Sequence, residues 1–421
     1  MKQIPQLPTA KHTGSSIVVS QCQNCSAKKL SSILFLGYLP PVNTLHKIGT
    51  IPNEQPSYPA QLLYCPSCHL VQLGLIVDPE ILFPFAYPYT SGTTKVLRDN
   101  FAQLYEESSK LLSLQKQDLI IVIGSNDGTL LSNFKQNHKV LGITPEKIGE
   151  LAIKNGIPTE FEYFTSTVAN KIKKKYGKAK VITAANVFAH MEDVHDVING
   201  ILLLLDEKGV FIVECHYLYA LLKKVQYDTI YHEHMRYYSL LSLQKLLASH
   251  ELEIFHAREI PSHGGSFRAY AARKGVFPIM GTVKKMLQKE YETVTSTKSF
   301  SKFADQTVLS KLALHTLLLP LKKKNKRIYG ISAPSRATTL INYTGLDQDS
   351  IDCILEINGS HKIDNYVPGT LIPILDEKKL YEDQPEYVLL FSWHIAEELM
   401  PKLKQKGYKG DFIIPLPYPI S

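Results

Sequence analysis

Between Asp228 and His234 the chain sets a phenol, two imidazoles and a carboxylate side by side, at Tyr231, His232, Glu233 and His234. An imidazole moves protons near neutral pH, and a neighbouring carboxylate or phenol can orient it or donate to a developing oxyanion, so the stretch reads as general acid–base machinery. A catalytic zinc of the HExxH kind does not fit, because these histidines stand two positions apart and ligation from one helix face needs four. A lone histidine is more often structural; the density of polar groups is what favours chemistry here.

Cys22-Gln23-Asn24-Cys25 and Cys65-Pro66-Ser67-Cys68 are two CxxC knuckles. Their four thiolates, Cys22, Cys25, Cys65 and Cys68, would close a tetrahedral Zn2+ site with no open position, which makes it structural. The competing reading is reduced buried thiols or redox pairs. In a module without an evident core, the metal is expected to supply most of the folding energy. A third cluster, Gly124-Ser125-Asn126-Asp127-Gly128, follows an apolar run and precedes a helical one. Glycines there let a ligand approach the backbone, and helix N-terminal amides attract an anion, although many α/β turns carry two glycines and bind nothing. His263-Gly264-Gly265-Ser266-Phe267-Arg268 reads either as a turn of exposed amides leading to a cation, suited to an anion or sugar hydroxyls, or as a plain hairpin turn.

The elements that must position these groups follow from periodicity. Val96, Phe101, Leu104, Tyr105, Leu111 and Leu112 recur at near-helical spacing. Runs at Leu119–Ile123, Val140–Ile143, Val181–Ala184 and Val210–Val213 then alternate with helix-length segments, and a second series follows at Arg327–Gly330, Ile351–Leu355, Tyr387–Phe391 and Phe412–Ile414. That alternation predicts two doubly wound parallel sheets. The expected fold is therefore α/β in three parts: a small loop-rich zinc-binding module over residues 1–90, a central Rossmann-like domain over 91–277, and a helical linker with a second Rossmann-like α/β domain over 278–421.

A composition of 44% hydrophobic and 20% charged residues excludes a disordered chain. No apolar run approaches the roughly 20 residues of a membrane span, and the first residues lack a secretory pattern, so a cytoplasmic protein is expected. The basic runs Lys171–Lys178 and Lys322–Arg327 contribute to the net charge of +8 but are not interleaved with aromatics, which argues against nucleic acid.

Taken in order, the two knuckles, GSNDGTLL at Gly124–Leu131, ANVFAHMEDVHD ending at Asp196, DTIYHEHMRYYS at Asp228–Ser239, HGGSFR, APSRATTLINYTG and VPGTLIPI resemble the sugar C-methyltransferase family. The resemblance implies that the central domain binds S-adenosyl-L-methionine through Gly124, Ser125, Asn126, Asp127, Gly128, Thr144, Asn186 and Phe188. It implies a nucleotide-linked (TDP-type) 4-keto-deoxy sugar between the lobes, contacted by Tyr87, Tyr89, His263, Gly264, Gly265, Ser266, Arg268 and Arg336. In such chemistry a carbon beside a ketone loses its proton, the enolate spreads charge onto oxygen, and the carbanion equivalent takes the sulfonium methyl. His234 is then the base, with Glu233 orienting it, Tyr231 donating to the enolate oxygen and His190 a second polar contact. The chain departs from the family pattern at Val122 and Thr144, where acids are usual, and Glu146 would have to reach in from the next turn. The alternative is a non-methylating member that binds or otherwise transforms a sugar nucleotide. Ser332 and Ala337 stand where the family has glycines, and Cys215-His216 where Val-Pro is usual. A monomer or weak dimer is expected.

Overall fold

The computed structural model describes residues 7, 9–85, 87 and 90–420; Tyr89, expected to cover the acceptor, lies outside the described residues. The central sheet has seven strands in the order Leu252–Ile260, Ser266–Arg273, Leu205–His216, Ala179–Ala185, Leu119–Ile123, Lys139–Ile143 and Thr159–Glu160. The last five are mutually parallel, and the first two form an antiparallel hairpin at the edge. Leu119–Ile123 is apolar and buried throughout, as a strand covered on both faces requires. One face packs on helix Lys95–Leu112 through Leu97, Phe101 and Leu104. The other packs on helices Ser166–Tyr176 and Val194–Leu204.

The C-terminal sheet runs Asp411–Ile413, Tyr387–Leu390, Ile328–Ile331, Cys353–Glu356, Pro373–Asp376, Asn365–Tyr366, His46–Lys47. Its first five strands are parallel, so both sheets are Rossmann-like, as the two hydrophobic series predicted. The segment between them forms helices Gly281–Thr295 and Thr297–Lys323. No helix among the described residues is long and apolar enough to cross a membrane.

The three parts exchange strands. His46–Lys47, near the knuckles in sequence, completes the edge of the C-terminal sheet. Arg236–Tyr237, just after the His234 stretch, pairs with Val71–Leu73 in the sheet that carries Tyr58–Tyr64 and Ser31–Leu39. The core is shared in the same way: Leu34, Leu36, Leu39, Ala60 and Leu62 pack in one cluster with Leu340, Ile354, Ile372 and Leu389. The N-terminal part, expected from its sequence to lack a core, buries its apolar face against the C-terminal lobe. Sequence periodicity could not show a core whose other half lies 300 residues away.

Candidate active site

The turn after Leu119–Ile123 is built on two glycines in the left-handed region. At Gly124, φ +69°, a Cβ would stand 2.8 Å from Val187; at Gly128, φ +80°, it would meet Ala152 and Ile157. Asp127 caps the following turn by accepting from Thr129 N. Ser91 N donates to Asn126 Oδ1 at 2.9 Å and Gly92 N to Asp127 Oδ2 at 2.7 Å, so the segment before helix Lys95–Leu112 straps over this loop. Thr144 directly follows the neighbouring strand, and Glu146 does reach back: its Oε2 accepts from Thr144 Oγ1 at 3.1 Å and from Asn126 Nδ2 at 3.3 Å. Burial pushes that carboxyl up. Val122 lies in the apolar layer beneath helix Lys95–Leu112, where a charge would be unpartnered.

Ser125 Oγ and Asn186 Oδ1 are buried and have no hydrogen-bond partner among the described residues. Orphaned polar atoms at the carboxyl ends of parallel strands, beside a glycine turn and a carboxylate, fit a ligand with ribose hydroxyls and an amino-acid moiety. Phe188 is corrected: it is not cofactor-facing but a core residue packed between Phe211 and Tyr238, at ring distances of 5.6 and 5.7 Å.

Next to this crevice four imidazoles converge. The His234 ring lies 4.1 Å from that of Tyr231, 4.9 Å from His216 and 5.0 Å from His190; His216 stacks on His263 at 5.2 Å, and His190 on Phe83 at 5.6 Å. Burial pushes His234 and His263 down to about 4, and His190 and His216 well below the usual value, so all four are neutral at pH 7. His234 Nδ1 lies 2.8 Å from the Thr229 carbonyl oxygen. A carbonyl only accepts, so Nδ1 carries the proton and Nε2 keeps its lone pair.

Glu233 does not perform the orienting task expected of it; the Thr229 carbonyl does. Its carboxylate instead accepts from Tyr87 Oη at 2.9 Å and Asn43 Nδ2 at 2.8 Å, and Asn43 Nδ2 also reaches Ser335 Oγ at 3.2 Å. The N-terminal part therefore meets the central domain on one buried carboxyl, which burial pushes up to about 7, and Asn43 links that carboxyl onward to Ser335 of the C-terminal lobe. His232 points elsewhere, toward the Pro59 carbonyl.

Arg268 is likewise corrected. It is fully buried, donating to Glu214 at 2.5 Å, to Asn100 and to Glu107, which leaves nothing for a substrate. The turn before it is closed: Gly264 O accepts from Lys224 and Gln226, Gly265 leaves no room for a Cβ beside Ala220, and Ser266 Oγ donates to Ser262 O. Of that motif only His263 faces the histidine cluster. Arg336, expected at the nucleotide, pairs with Asp228 at 3.1 Å, donates to His394 Nδ1 at 2.6 Å and stacks on Trp393. Asn43, Trp393 and His394 carried no sequence signal, being single residues brought in from other modules.

The four cysteine sulfurs lie within 4.8 Å of one another, with Cys22–Cys68 at 3.3 Å and Cys25–Cys65 at 3.6 Å. Tetrahedral zinc with its usual bond to sulfur sets thiolates about 3.8 Å apart, so the set fits the ion. Each knuckle closes with a residue in the left-handed region immediately after its second cysteine, Ser26 and His69. His69 is engaged by Tyr64 Oη and stands outside the ligand set.

Three domain families match the chain: a zinc-binding domain over residues 22–83, a methyltransferase domain over 96–257, and the C-methyltransferase C-terminal domain over 261–417. The C-methyltransferase NovU of Streptomyces niveus is 29% identical over 406 residues, covering 95% of this chain and 96% of NovU. An S-adenosylmethionine-dependent methyltransferase from Clostridium acetobutylicum overlays with a TM-score of 0.35 at 13% identity, over 44% of this chain and 94% of its own. Magnesium protoporphyrin IX methyltransferase from Synechocystis gives a TM-score of 0.33 at 16% identity, over 42% of this chain and 83% of its own.

Proposed function

The chain belongs to the S-adenosylmethionine-dependent C-methyltransferases that join zinc-binding, methyltransferase and C-methyltransferase C-terminal domains, and from that premise we propose that its acceptor is a nucleotide-linked 4-keto-deoxy sugar of the TDP type. Carbon becomes nucleophilic at neutral pH only where a neighbouring carbonyl takes up the charge, so the site must hold a base for a C–H proton and donors for the enolate oxygen. The observation that carries the reading is the Thr229–His234 hydrogen bond, which leaves Nε2 of a neutral imidazole to take that proton.

In this reading the proton taken from carbon passes to His234 Nε2, and Tyr231, whose ring centre lies 4.1 Å from that of His234, donates to the forming oxyanion. When bound, S-adenosylmethionine supplies an electrophilic methyl carbon. The Gly124–Gly128 turn, Asn186 and Glu146 would hold it, and Glu146, which accepts from Thr144 Oγ1, would take the role of the acid usual at position 144. His190, His263 and Tyr87 line the acceptor side, Tyr87 being fixed by Glu233. The low His234 value keeps the base unprotonated well below neutral pH. Cys22, Cys25, Cys65 and Cys68 bind Zn2+ as thiolates, which suits a reducing cytoplasm.

The test is methyl transfer from S-adenosylmethionine to a panel of TDP-4-keto-deoxy sugars, with deuterium exchange from solvent into the carbon beside the ketone measured in parallel. Exchange and transfer that both vanish in His234→Asn, with cofactor affinity retained, support the reading. Full exchange in that variant removes His234 as the base.

A further inference from the structure

In a doubly wound sheet the ligand crevice opens where successive strands leave to opposite sides, beyond the carboxyl ends. In the C-terminal lobe that point lies between Ile328–Ile331 and Tyr387–Leu390. The segments that follow these two strands carry Arg336, in the first turn of helix Ser335–Thr344, and Trp393. Between them sits Asp228, contributed by the central domain: Arg336 Nε is 3.1 Å from its carboxylate, and Trp393 Nε1 donates to it at 2.7 Å. Asp228 is fully buried, and its other donors come from its own loop.

The same C-terminal helix, Ser335–Thr344, takes a second hold on the loop two residues beyond Asp228, where Thr339 Oγ1 donates to the Ile230 carbonyl at 3.3 Å. Thr229 lies between these two fixed points, and its carbonyl is the one that binds His234 Nδ1. We propose that this crevice serves as a clamp on the base-bearing loop: Asp228, Arg336 and Trp393 are positioning residues that aim the Thr229 carbonyl and so fix the tautomer of His234. A buried carboxylate met by a guanidinium and an indole N–H has strong directional partners, which suits it to hold a backbone in one place. The inference rests on the reading of His234 as the base, but its structural half is measurable without any turnover.

The experiment uses the full-length, zinc-loaded chain with 15N-labelled histidine. Nitrogen chemical shifts report the His234 tautomer, assigned by the signal lost in His234→Asn. Trp393→Phe keeps a ring over Arg336 and removes only the donor to Asp228; Arg336→Lys keeps the charge and loses the fork. Both are expected to turn a single Nδ1–H form into a mixture, with kcat down about ten- to hundredfold and KM for S-adenosylmethionine unchanged. Thr339→Val, which removes one hydroxyl, is the third variant if either of these fails to fold. A tautomer that stays Nδ1–H in the folded variants overturns the clamp. A shifted tautomer with unchanged kcat upholds the clamp and instead removes His234 from the base role.

Discussion

The two Rossmann-like lobes share a layout and differ in what lies at the mouth of the first strand. In the central lobe the turn is Gly124–Gly128, and the nearby acid Glu146 reaches only side chains, Thr144 and Asn126. In the C-terminal lobe the turn runs through Ser332, a side-chain-bearing residue at φ +67°, and the equivalent acid, Glu356, accepts from the turn's own Ala333 N at 2.8 Å. One carboxylate stands beside orphaned polar atoms; the other is consumed by backbone. One crevice is lined for a ligand, and the other is filled by Asp228 from the neighbouring domain. On the proposed reading, one layout serves a ligand in the central lobe and an intramolecular anchor in the C-terminal lobe.

The strongest test of this division is His234→Asn, which should lower kcat by about 10²- to 10⁴-fold. Titration calorimetry should find S-adenosylmethionine bound as in the parent, since the histidine cluster adjoins the central crevice without forming it. Comparable loss of cofactor affinity would merge the two sites.

Acidification comes next. His195, His232, His234, His250 and His263 are all held at about 4 by burial, below the roughly 6.5 of an unfolded chain. The unfolded state then binds more protons, so stability should fall as pH drops from about 6.5 toward 4. Glu233, raised to about 7, acts oppositely: it favours the fold below its unfolded value near 4.5 and loses that contribution as pH rises through 7. Urea midpoints at pH 7 and pH 5 would measure the sum; equal midpoints would contradict it.

Glu146→Gln should weaken S-adenosylmethionine binding about ten- to a hundredfold, the worth of a charge-assisted hydrogen bond. Glu356→Gln should leave that affinity untouched and lower the melting temperature instead. If both variants lose cofactor equally, the asymmetry between the acids is wrong. The smallest effect belongs to Ser332→Gly, which relieves a left-handed side-chain residue at the cost of chain entropy, a net change of about 1 kcal/mol or less. Calorimetry should show no new nucleotide binding in it, because Asp228 still fills the crevice; a newly bound nucleotide would show that the serine alone had closed the site.

The parallel strands, the glycine turn and the thiolate set were legible because each depends on local spacing. Leu119–Ile123 needs only its own apolar run, and a CxxC pair needs only its partner pair. Arg268 was misjudged, and the pairing of Arg336 with Asp228 was missed, for a common reason. Sequence shows a cation but not its counter-charge, and Glu107, Glu214 and Asp228 lie at distances along the chain that no motif encodes. Glu233 was misread similarly, since its true partners, Asn43 and Tyr87, come from the other end of the chain. Phe188 shows the limit of motif transfer: a residue inside a functional segment can belong wholly to packing.

The exchanged strands bear on how the chain is made. As residues emerge from the ribosome, the sheet that follows the first knuckle lacks Arg236–Tyr237, and His46–Lys47 has no sheet to join until Asn365–Tyr366 is synthesised. Neither layer can close in the order in which it is translated: the first waits for Arg236–Tyr237 and the second for Asn365–Tyr366, and a product truncated before either would expose an unpaired strand edge.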